Sequence, residues 1–237
     1  MRSGFIRALW GSGDAGLWEP ALADRAVCKT WQDVRSCWRV QRHLRAVTYV
    51  YGRENFDFAR SLGYAVELVD ERPVVFQGRG GMWRHKLEIL SRALLDFDEV
   101  IYLDHDVRKS VRRVPRDLWR RLRRRGPLQA ALRQYRRPQC PWRAVARGLL
   151  PAGAFIYLRD GAIARRLLEV SSAQPHWSDE LCMAYVFDEL DPNLWLQGAA
   201  SGVSRFAQRF DPYCYHVRGM VTACTTPLFV TGRIPAS

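Results

Sequence analysis

The sequence predicts an α/β fold, a mixed and mostly parallel sheet flanked by helices, in a single domain that spans residues 1–237. Short apolar runs rich in β-branched and aromatic residues, which are typical of buried strands, alternate with stretches whose apolar residues recur at helical spacing. This alternation is typical of βαβ units, in which helices cover both faces of a parallel sheet. The length of the chain and the lack of a linker or internal repeat in its sequence favour one domain.

Each predicted element follows from a local pattern. The strands are expected at Phe5–Trp10, Arg45–Tyr51, Tyr64–Val69, Glu99–Leu103 and Gly153–Leu158. The helices are expected within residues 20–42, at Asn55–Leu62, Trp83–Leu95, Pro115–Leu122 and Asp160–Val170, and after Ser178. Gly63 and Gly126 stand where helices should stop, and Ser178 is an expected N-cap. The tail from Leu194 onward is expected to form loops and short strands.

The charge of the chain favours a polyanionic partner. The formal net charge is +13, which suits nucleic acid, an anionic membrane surface or phosphorylated substrates. The six cysteines include no C-x-x-C pair, so a zinc ribbon is not expected and free thiols in a reducing compartment are. The N-terminus lacks the apolar region of a signal peptide, and no run is long enough to span a bilayer. We therefore expect a soluble protein in the cytoplasm of a bacterium or of a phage-infected host cell.

Two carboxylates follow one of the predicted strands directly. Asp104 and Asp106, separated by His105, come immediately after the apolar run Glu99–Leu103. In open α/β sheets, ligands bind beyond the carboxyl ends of the strands. Carboxylate oxygens suit Mg²⁺ or Mn²⁺, particularly where phosphates supply further ligands. The pattern predicts a metal site that holds a diphosphate; the alternative is a solvated acidic turn.

The segment Arg108–Arg147 is unusually basic. It contains fourteen arginines and one lysine against a single acid, Asp117. One interpretation is a solvated helix face above an apolar underside. The other is a flank that binds a polyanion, since self-repulsion among so many like charges is costly without a partner.

Five motifs, taken in chain order, resemble those of the GT-A fold glycosyltransferases. The closest likeness is to the glycogenin-like and galactosyltransferase-like retaining enzymes of the family 8 type. The motifs are Trp83-Arg84-His85-Lys86, Asp104-His105-Asp106, Ala152-Gly153-Ala154-Phe155-Ile156, Asp179-Glu180 and His216-Val217-Arg218-Gly219. The likeness extends from about Phe5 to Gly219, which is most of the chain.

The resemblance implies a metal-dependent transferase that uses a nucleotide-sugar donor, with a UDP-sugar expected. Mn²⁺ or Mg²⁺ would be held by Asp104, Asp106 and His216, and the imidazole favours Mn²⁺ slightly. The donor would be bound by Trp10, Gly11, Arg84, Lys86, Gly153 and Arg218. Asp179 and Glu180 would be catalytic, as a base or as stabilisers of an oxocarbenium-like state.

Most of these residues also have an ordinary structural interpretation. Arg84 and Lys86 suit a polar helix face, and Trp10 suits a core. His216 suits a core or a surface position, and acids are common in the first turn of a helix. The chain also departs from the family. It has Pro151-Ala152-Gly153 where Asn-Ser-Gly is frequent, and no lysine follows Gly219.

The sequence leaves more than one class of acceptor molecule open. Hydroxymethylated DNA fits the segment Arg108–Arg147, with aromatic side chains stacking on bases. Lipopolysaccharide or another anionic glycolipid at a membrane face is the main alternative, and a protein or small-molecule acceptor also stays open. Two other classes also stay open: a nucleic-acid-binding module without catalysis, and a nucleotidyltransferase.

Overall fold

The computed structural model describes residues 1–9, 44–73, 78–103, 108–109, 117–134, 149–190 and 229–230. The strands are β1 (Ser3–Leu9), β2 (Val47–Tyr51), β3 (Ala65–Asp70), β4 (Glu99–Leu103), β5 (Arg108–Lys109), β6 (Leu128–Gln134), β7 (Leu149–Leu158) and β8 (Phe229–Val230). The helices are α1 (Arg53–Ser61), α2 (Gly78–Asp96), α3 (Leu118–Arg125), α4 (Gly161–Ala173) and α5 (Asp179–Leu190).

The main sheet has six strands in the order β3-β2-β1-β4-β7-β6. The first four are parallel to one another, and β7 is antiparallel to both β4 and β6. β5 and β8 form a separate antiparallel pair. The prediction of a mixed, mostly parallel sheet flanked by helices is confirmed.

Both faces of the sheet are covered, as the buried strands require. Alternate residues of a strand point to opposite faces. Ile6 and Ala8 of β1 join a large core with residues of α2, α4 and α5. Leu9 of the same strand packs instead with Phe58 and Ala59 of α1, on the other face.

Local chemistry defines several helix ends. The Ser178 hydroxyl accepts from the backbone N–H of Leu181 at 3.2 Å, which confirms it as the N-cap of α5. Asp160 caps α4 in the same way, through the N–H of Ala162. Gly63 after α1 and Gly126 after α3 have φ of 75° and 139°, where glycine is favoured. Both are the predicted helix stops.

The described elements differ from the predicted ones in bounds and in one strand. α2 begins five residues before Trp83, and β7 begins at Leu149, ahead of the predicted Gly153. α3 begins at Leu118, three residues after the predicted start at Pro115, and ends at Arg125, directly before the predicted stop at Gly126. β6 has no counterpart among the predicted strands. The helix expected within residues 20–42 and most of the tail lie outside the described residues, and the single-domain organisation stays a prediction.

The strand order places a topological switch point between β1 and β4. From β1 the chain proceeds outward to β2 and β3, and it then returns to add β4 on the other side of β1. In open α/β sheets such a point opens a crevice beyond the carboxyl ends of the two strands, where ligands bind. Those ends are Leu9 and Leu103.

Candidate functional site

Four of the sequence-predicted site residues come together beyond the carboxyl end of β4. They are Lys86 from α2, Gly153 from β7, and Asp179 and Glu180 from the first turn of α5. Phe155 of β7 is paired with Leu103, the last residue of β4, so that Gly153 lies past the end of that strand. The cluster therefore lies at the carboxyl edge that the switch point marks.

The ammonium group of Lys86 is buried at the centre of this cluster. Its Nζ donates to the carbonyl oxygen of Gly153 at 3.0 Å and lies 3.0 Å from Asp179 Oδ2. It also lies 5.1 Å from the centroid of the Tyr102 ring, within cation–π range. The Lys86 and Asp179 side chains are only 8% and 2% exposed, so this is a buried ion pair.

Gly153 is freed from the sheet ladder by a bulge. Ala130 of β6 pairs with Ile156, but the next residue, Ala131, pairs with Ala152, so β7 has extra residues at this point. The N–H of Gly153 donates instead to Glu180 Oε1 at 3.3 Å, and its carbonyl accepts from Lys86. Bulges of this kind are common beside active sites, because they redirect the backbone.

The site requires glycine at position 153 for steric reasons. A Cβ built there would overlap Asp179 Oδ2 and would lie 3.0 Å from Lys86 Nζ. Any side chain would force the ion pair apart. Glycine at position 153 thus allows the backbone of β7 to approach the ion pair closely.

The two acids of α5 occupy different environments. Asp179 is buried against Lys86, whereas Glu180 is half-buried and is the more accessible of the two. Both lie in the first turn, where the helix dipole favours negative charge. Burial, and then the charge of Asp179, raises the pKa of the neighbouring Cys182 thiol to about 12. The Asp179 carboxylate thus acts on the Cys182 thiol through a largely apolar environment.

A second set of polar side chains lies beside the cluster, on the turn of α2 that carries Lys86. Arg84 Nε donates to Glu88 Oε1 at 3.0 Å, and His85 Nδ1 lies 2.9 Å from Glu88 Oε2. The hydrogen bond from His85 holds the pKa of Glu88 below its ordinary value, with a smaller contribution from Arg84. The His85 ring meets the edge of Tyr51, at the carboxyl end of β2, with centroids 5.2 Å apart.

Tyr102, His85 and Glu88 are parts of this edge that were not predicted from the sequence. The i,i+3 and i,i+4 spacing of His85 and Arg84 from Glu88 is a visible signal for their pairing. No comparable signal marks Tyr102, because it appears in the sequence only as one more apolar residue of β4.

The remaining expected site residues lie outside the described part of the chain. These are Trp10, Gly11, Asp104, Asp106, His216 and Arg218. Within the described ranges no three His, Cys, Asp or Glu side chains come together as a metal site. Of the described helices, none combines the length and apolar character needed to cross a bilayer.

Comparison with known proteins gives structural likenesses only. No protein-family model matches the sequence, and no curated protein matches it either. Among solved structures, the chain is similar to mouse xyloside xylosyltransferase 1 in its apo form, with a TM-score of 0.45 and 10% identity over 97% of each chain. It is also similar to a glycosyltransferase involved in glycosylation of the major capsid of PBCV-1, with a TM-score of 0.42 and 10% identity over 82% of this chain and 78% of that one.

Proposed function

We propose that this chain is a metal-dependent glycosyltransferase that moves a sugar from a nucleoside-diphosphate sugar to a hydroxyl acceptor. The observation that carries the proposal is the cluster of Lys86, Gly153, Asp179 and Glu180 at the carboxyl edge beside the switch point. Acids and a buried cation brought together from separate elements at such an edge are expected of a reaction site.

The metal would be bound by the residues that follow β4. Asp104 comes directly after Leu103, the last residue of the strand, and Asp106 is two residues further. We propose that these carboxylates, with His216, hold Mn²⁺ or Mg²⁺. When bound, the cation would stabilise the negative charge that develops on the departing nucleoside diphosphate.

The donor would lie between the ends of β1 and β4. Trp10 and Gly11 directly follow β1, and we propose that they contact the nucleoside of a UDP-sugar. Arg84 lies on the exposed side of α2, where it and Arg218 would supply positive charge to the diphosphate. Lys86 acts differently from these two arginines, because its charge is already paired with Asp179 inside the protein.

We propose different roles for the two acids, on the basis of their different burial. Asp179 is buried and ion-paired, and we propose that it fixes Lys86 and, through it, the Gly153 peptide. Glu180 is the more exposed carboxylate, and we propose that it faces the sugar or the acceptor hydroxyl. There it would accept a proton or stabilise an oxocarbenium-like state, by analogy with glycosidases. Only the family resemblance favours retention of configuration over inversion.

The acceptor that we favour is hydroxymethylated DNA. A net charge of +13 and the arginine-dense segment Arg108–Arg147 both suit a phosphate polymer. The alternative is lipopolysaccharide or another anionic glycolipid at a membrane face, which the same charge would attract.

The test of the activity is donor turnover. Purified protein is incubated with a panel of nucleotide sugars and Mn²⁺, and released nucleoside diphosphate is measured. The variant Asp104→Asn/Asp106→Asn should lose at least about a hundredfold in turnover, because the leaving group loses its electrostatic stabilisation. A matched control is Asp57→Asn/Asp96→Asn, which removes two exposed acids from α1 and α2 and should behave like the native protein.

The outcomes separate the rival functions. Unchanged turnover in Asp104→Asn/Asp106→Asn would contradict the proposal. Release of pyrophosphate in place of a nucleoside diphosphate would identify a nucleotidyltransferase. DNA binding without any metal-dependent binding of nucleoside diphosphates would identify a non-catalytic module. Labelled donor with hydroxymethylated DNA, plain DNA or lipopolysaccharide then identifies the acceptor by the polymer that becomes labelled.

A further inference from the structure

The helix α3 is the most strongly charged element of the described chain. Its sequence is Leu-Trp-Arg-Arg-Leu-Arg-Arg-Arg, with five arginines in eight residues and no acid. The nearest acid in sequence is Asp117, which precedes the helix. So dense a positive charge on one short helix favours the binding of a negatively charged partner.

The apolar side of α3 is wholly used in packing. Leu118 and Leu122 are fully buried. The Trp119 ring packs against Phe5 of β1 and Tyr157 of β7, with centroids 5.4 and 6.4 Å apart. Among the described large apolar side chains, none of α3 is exposed. The outer side of the helix therefore offers charge and no apolar side chain for insertion into a lipid layer.

Arginines occupy the outer side of α3 at a spacing that makes them repel. Arg120 and Arg124 are exposed and stand one turn apart, and like charges at this spacing destabilise a helix. The Arg120 guanidinium is 3.8 Å from Asp117, and its side chain is 64% exposed. By contrast, Arg166 and Arg53 on other helices pair closely with Glu189 and Glu71.

The helix lies away from the candidate reaction site. Phe5, Tyr157 and Glu99 belong to the sheet face opposite α2 and α5, because they alternate with core residues of the first face. Arg123 Nε is 3.6 Å from Glu99, the first residue of β4, whereas the site lies beyond the last residue of that strand. The five residues of β4 separate the two places by about 13 Å along the strand direction.

We propose that α3 is an anchoring surface for the phosphate backbone of nucleic acid, separate from the place where the sugar is transferred. The inference rests on the DNA acceptor of the proposed function and adds to it a second, remote contact. Guanidinium groups bind phosphate oxygens in a bidentate manner, which suits arginine better than lysine at such a surface.

If the anchoring surface is separate from the reaction site, the affinity for DNA should depend on the length of the DNA. One strand of DNA advances 3.4 Å per nucleotide, so about four nucleotides are the least that can cover about 13 Å. An oligonucleotide shorter than this reaches only one of the two places. A longer one reaches both, and its affinity should rise accordingly.

The test compares two charge-reversed proteins with equal net charge. Arg120→Glu/Arg124→Glu reverses the exposed arginines of α3. The matched control, Arg60→Glu/Arg165→Glu, reverses two exposed arginines on α1 and α4. Binding of fluorescein-labelled DNA of about 2 and about 24 nucleotides is followed by anisotropy at several salt concentrations. Vesicles that contain anionic lipid serve as the competing ligand, and donor hydrolysis with Mn²⁺ is measured in parallel.

Arg120→Glu/Arg124→Glu should bind the long DNA at least about tenfold more weakly than the control at low salt, with a shallower salt dependence. Because the short DNA reaches only one of the two places, the affinities of the two proteins for it should differ much less than their affinities for the long DNA. Both proteins should hydrolyse the donor at the native rate. Equal affinity of both variants for the long DNA would overturn the inference, as would binding to anionic vesicles without binding to DNA. If the native protein itself did not hydrolyse any donor, the proposed transferase activity would be overturned instead. Failure of the proposed activity can therefore be distinguished from failure of the anchoring surface.

Discussion

Lys86 Nζ lies 3.0 Å from Asp179 Oδ2, and both side chains are almost completely buried. The pair joins α2 to α5 across the backbone of Gly153, whose carbonyl accepts a hydrogen bond from the same ammonium group. A buried charge is costly unless its partner stays in place. The pair therefore fixes the relative positions of the elements that carry Glu180 and Arg84.

Removal of the lysine charge should destabilise the protein strongly. In Lys86→Met, Asp179 is left buried without a counter-ion, which costs about 3–5 kcal/mol of the free energy of unfolding. Urea unfolding measures the loss. Arg84→Met is the matched control on the same helix, because Arg84 pairs with Glu88 at the surface and its loss should cost less than about 1 kcal/mol.

A double-mutant cycle separates the pair from the individual residues. Lys86→Met/Asp179→Asn removes both charges and should recover part of the stability lost in Lys86→Met. Strictly additive losses in the cycle would show that the two side chains do not interact, contrary to their distance in the structure.

The glycine at position 153 should tolerate no side chain. In Gly153→Ala the new methyl group overlaps Asp179 Oδ2, and the resulting strain should cost about 1–3 kcal/mol and lower donor turnover. Gly161→Ala is the control, since a Cβ at the start of α4 meets nothing within 4 Å. That variant should be neutral or more stable by up to about 1 kcal/mol. Equal thermal stability of both variants would contradict the close approach at Gly153.

The alternation of strands and helices could be predicted because the strongest elements carry their pattern locally. All five residues of β4 are buried, and four of them, Val100–Leu103, form a continuous apolar run in the sequence. β6 lacks such a signal, since Gln129, Ala130 and Ala131 have low strand propensity, and it forms a strand by pairing with β7. Arg7 and Thr48 are polar yet fully buried within strands, because helices cover both faces of the sheet.

The residues of the cluster could be predicted more readily than their arrangement. A lysine before a strand and an acidic pair at a helix start are visible motifs. The sequence does not indicate that Lys86 faces Asp179 and leaves Glu180 the more exposed acid. This pairing depends on how α2 packs against β4 and α5 and on how α5 packs against β7, which are tertiary contacts between distant segments.

Replacement of Glu180 by glutamine should reduce catalysis without disturbing the fold. The amide oxygen can still accept from the Gly153 N–H, while the negative charge is lost. We expect kcat to fall by at least about a hundredfold, with the donor KM and the melting temperature close to native. Glu189→Gln, near the far end of the same helix and paired with Arg166, should keep native kcat. Native kcat in Glu180→Gln would remove Glu180 from the proposed mechanism.

The buried thiol of Cys182 should make the protein less stable in alkali. Burial, and then the charge of Asp179, raises the pKa of this thiol from 9.0 to about 12. Below pH 9 the thiol is neutral in the folded and unfolded states, so its contribution to stability is complete. Between pH 9 and pH 12 only the unfolded chain ionises, and the free energy of unfolding falls as the pH rises.

The contribution of Cys182 can be separated from that of the tyrosines, which also ionise in this range. Burial raises the pKa of Tyr51 to about 12, and that group is retained in Cys182→Ala. Urea unfolding across pH 9 to 12 should therefore show a shallower decline for Cys182→Ala than for the native protein. Because Cys182 is fully buried, iodoacetamide should label it in urea and leave it unlabelled in the folded protein, as peptide mass mapping would show. Equal declines in the two proteins, together with rapid labelling in the folded state, would show that the thiol is exposed to solvent.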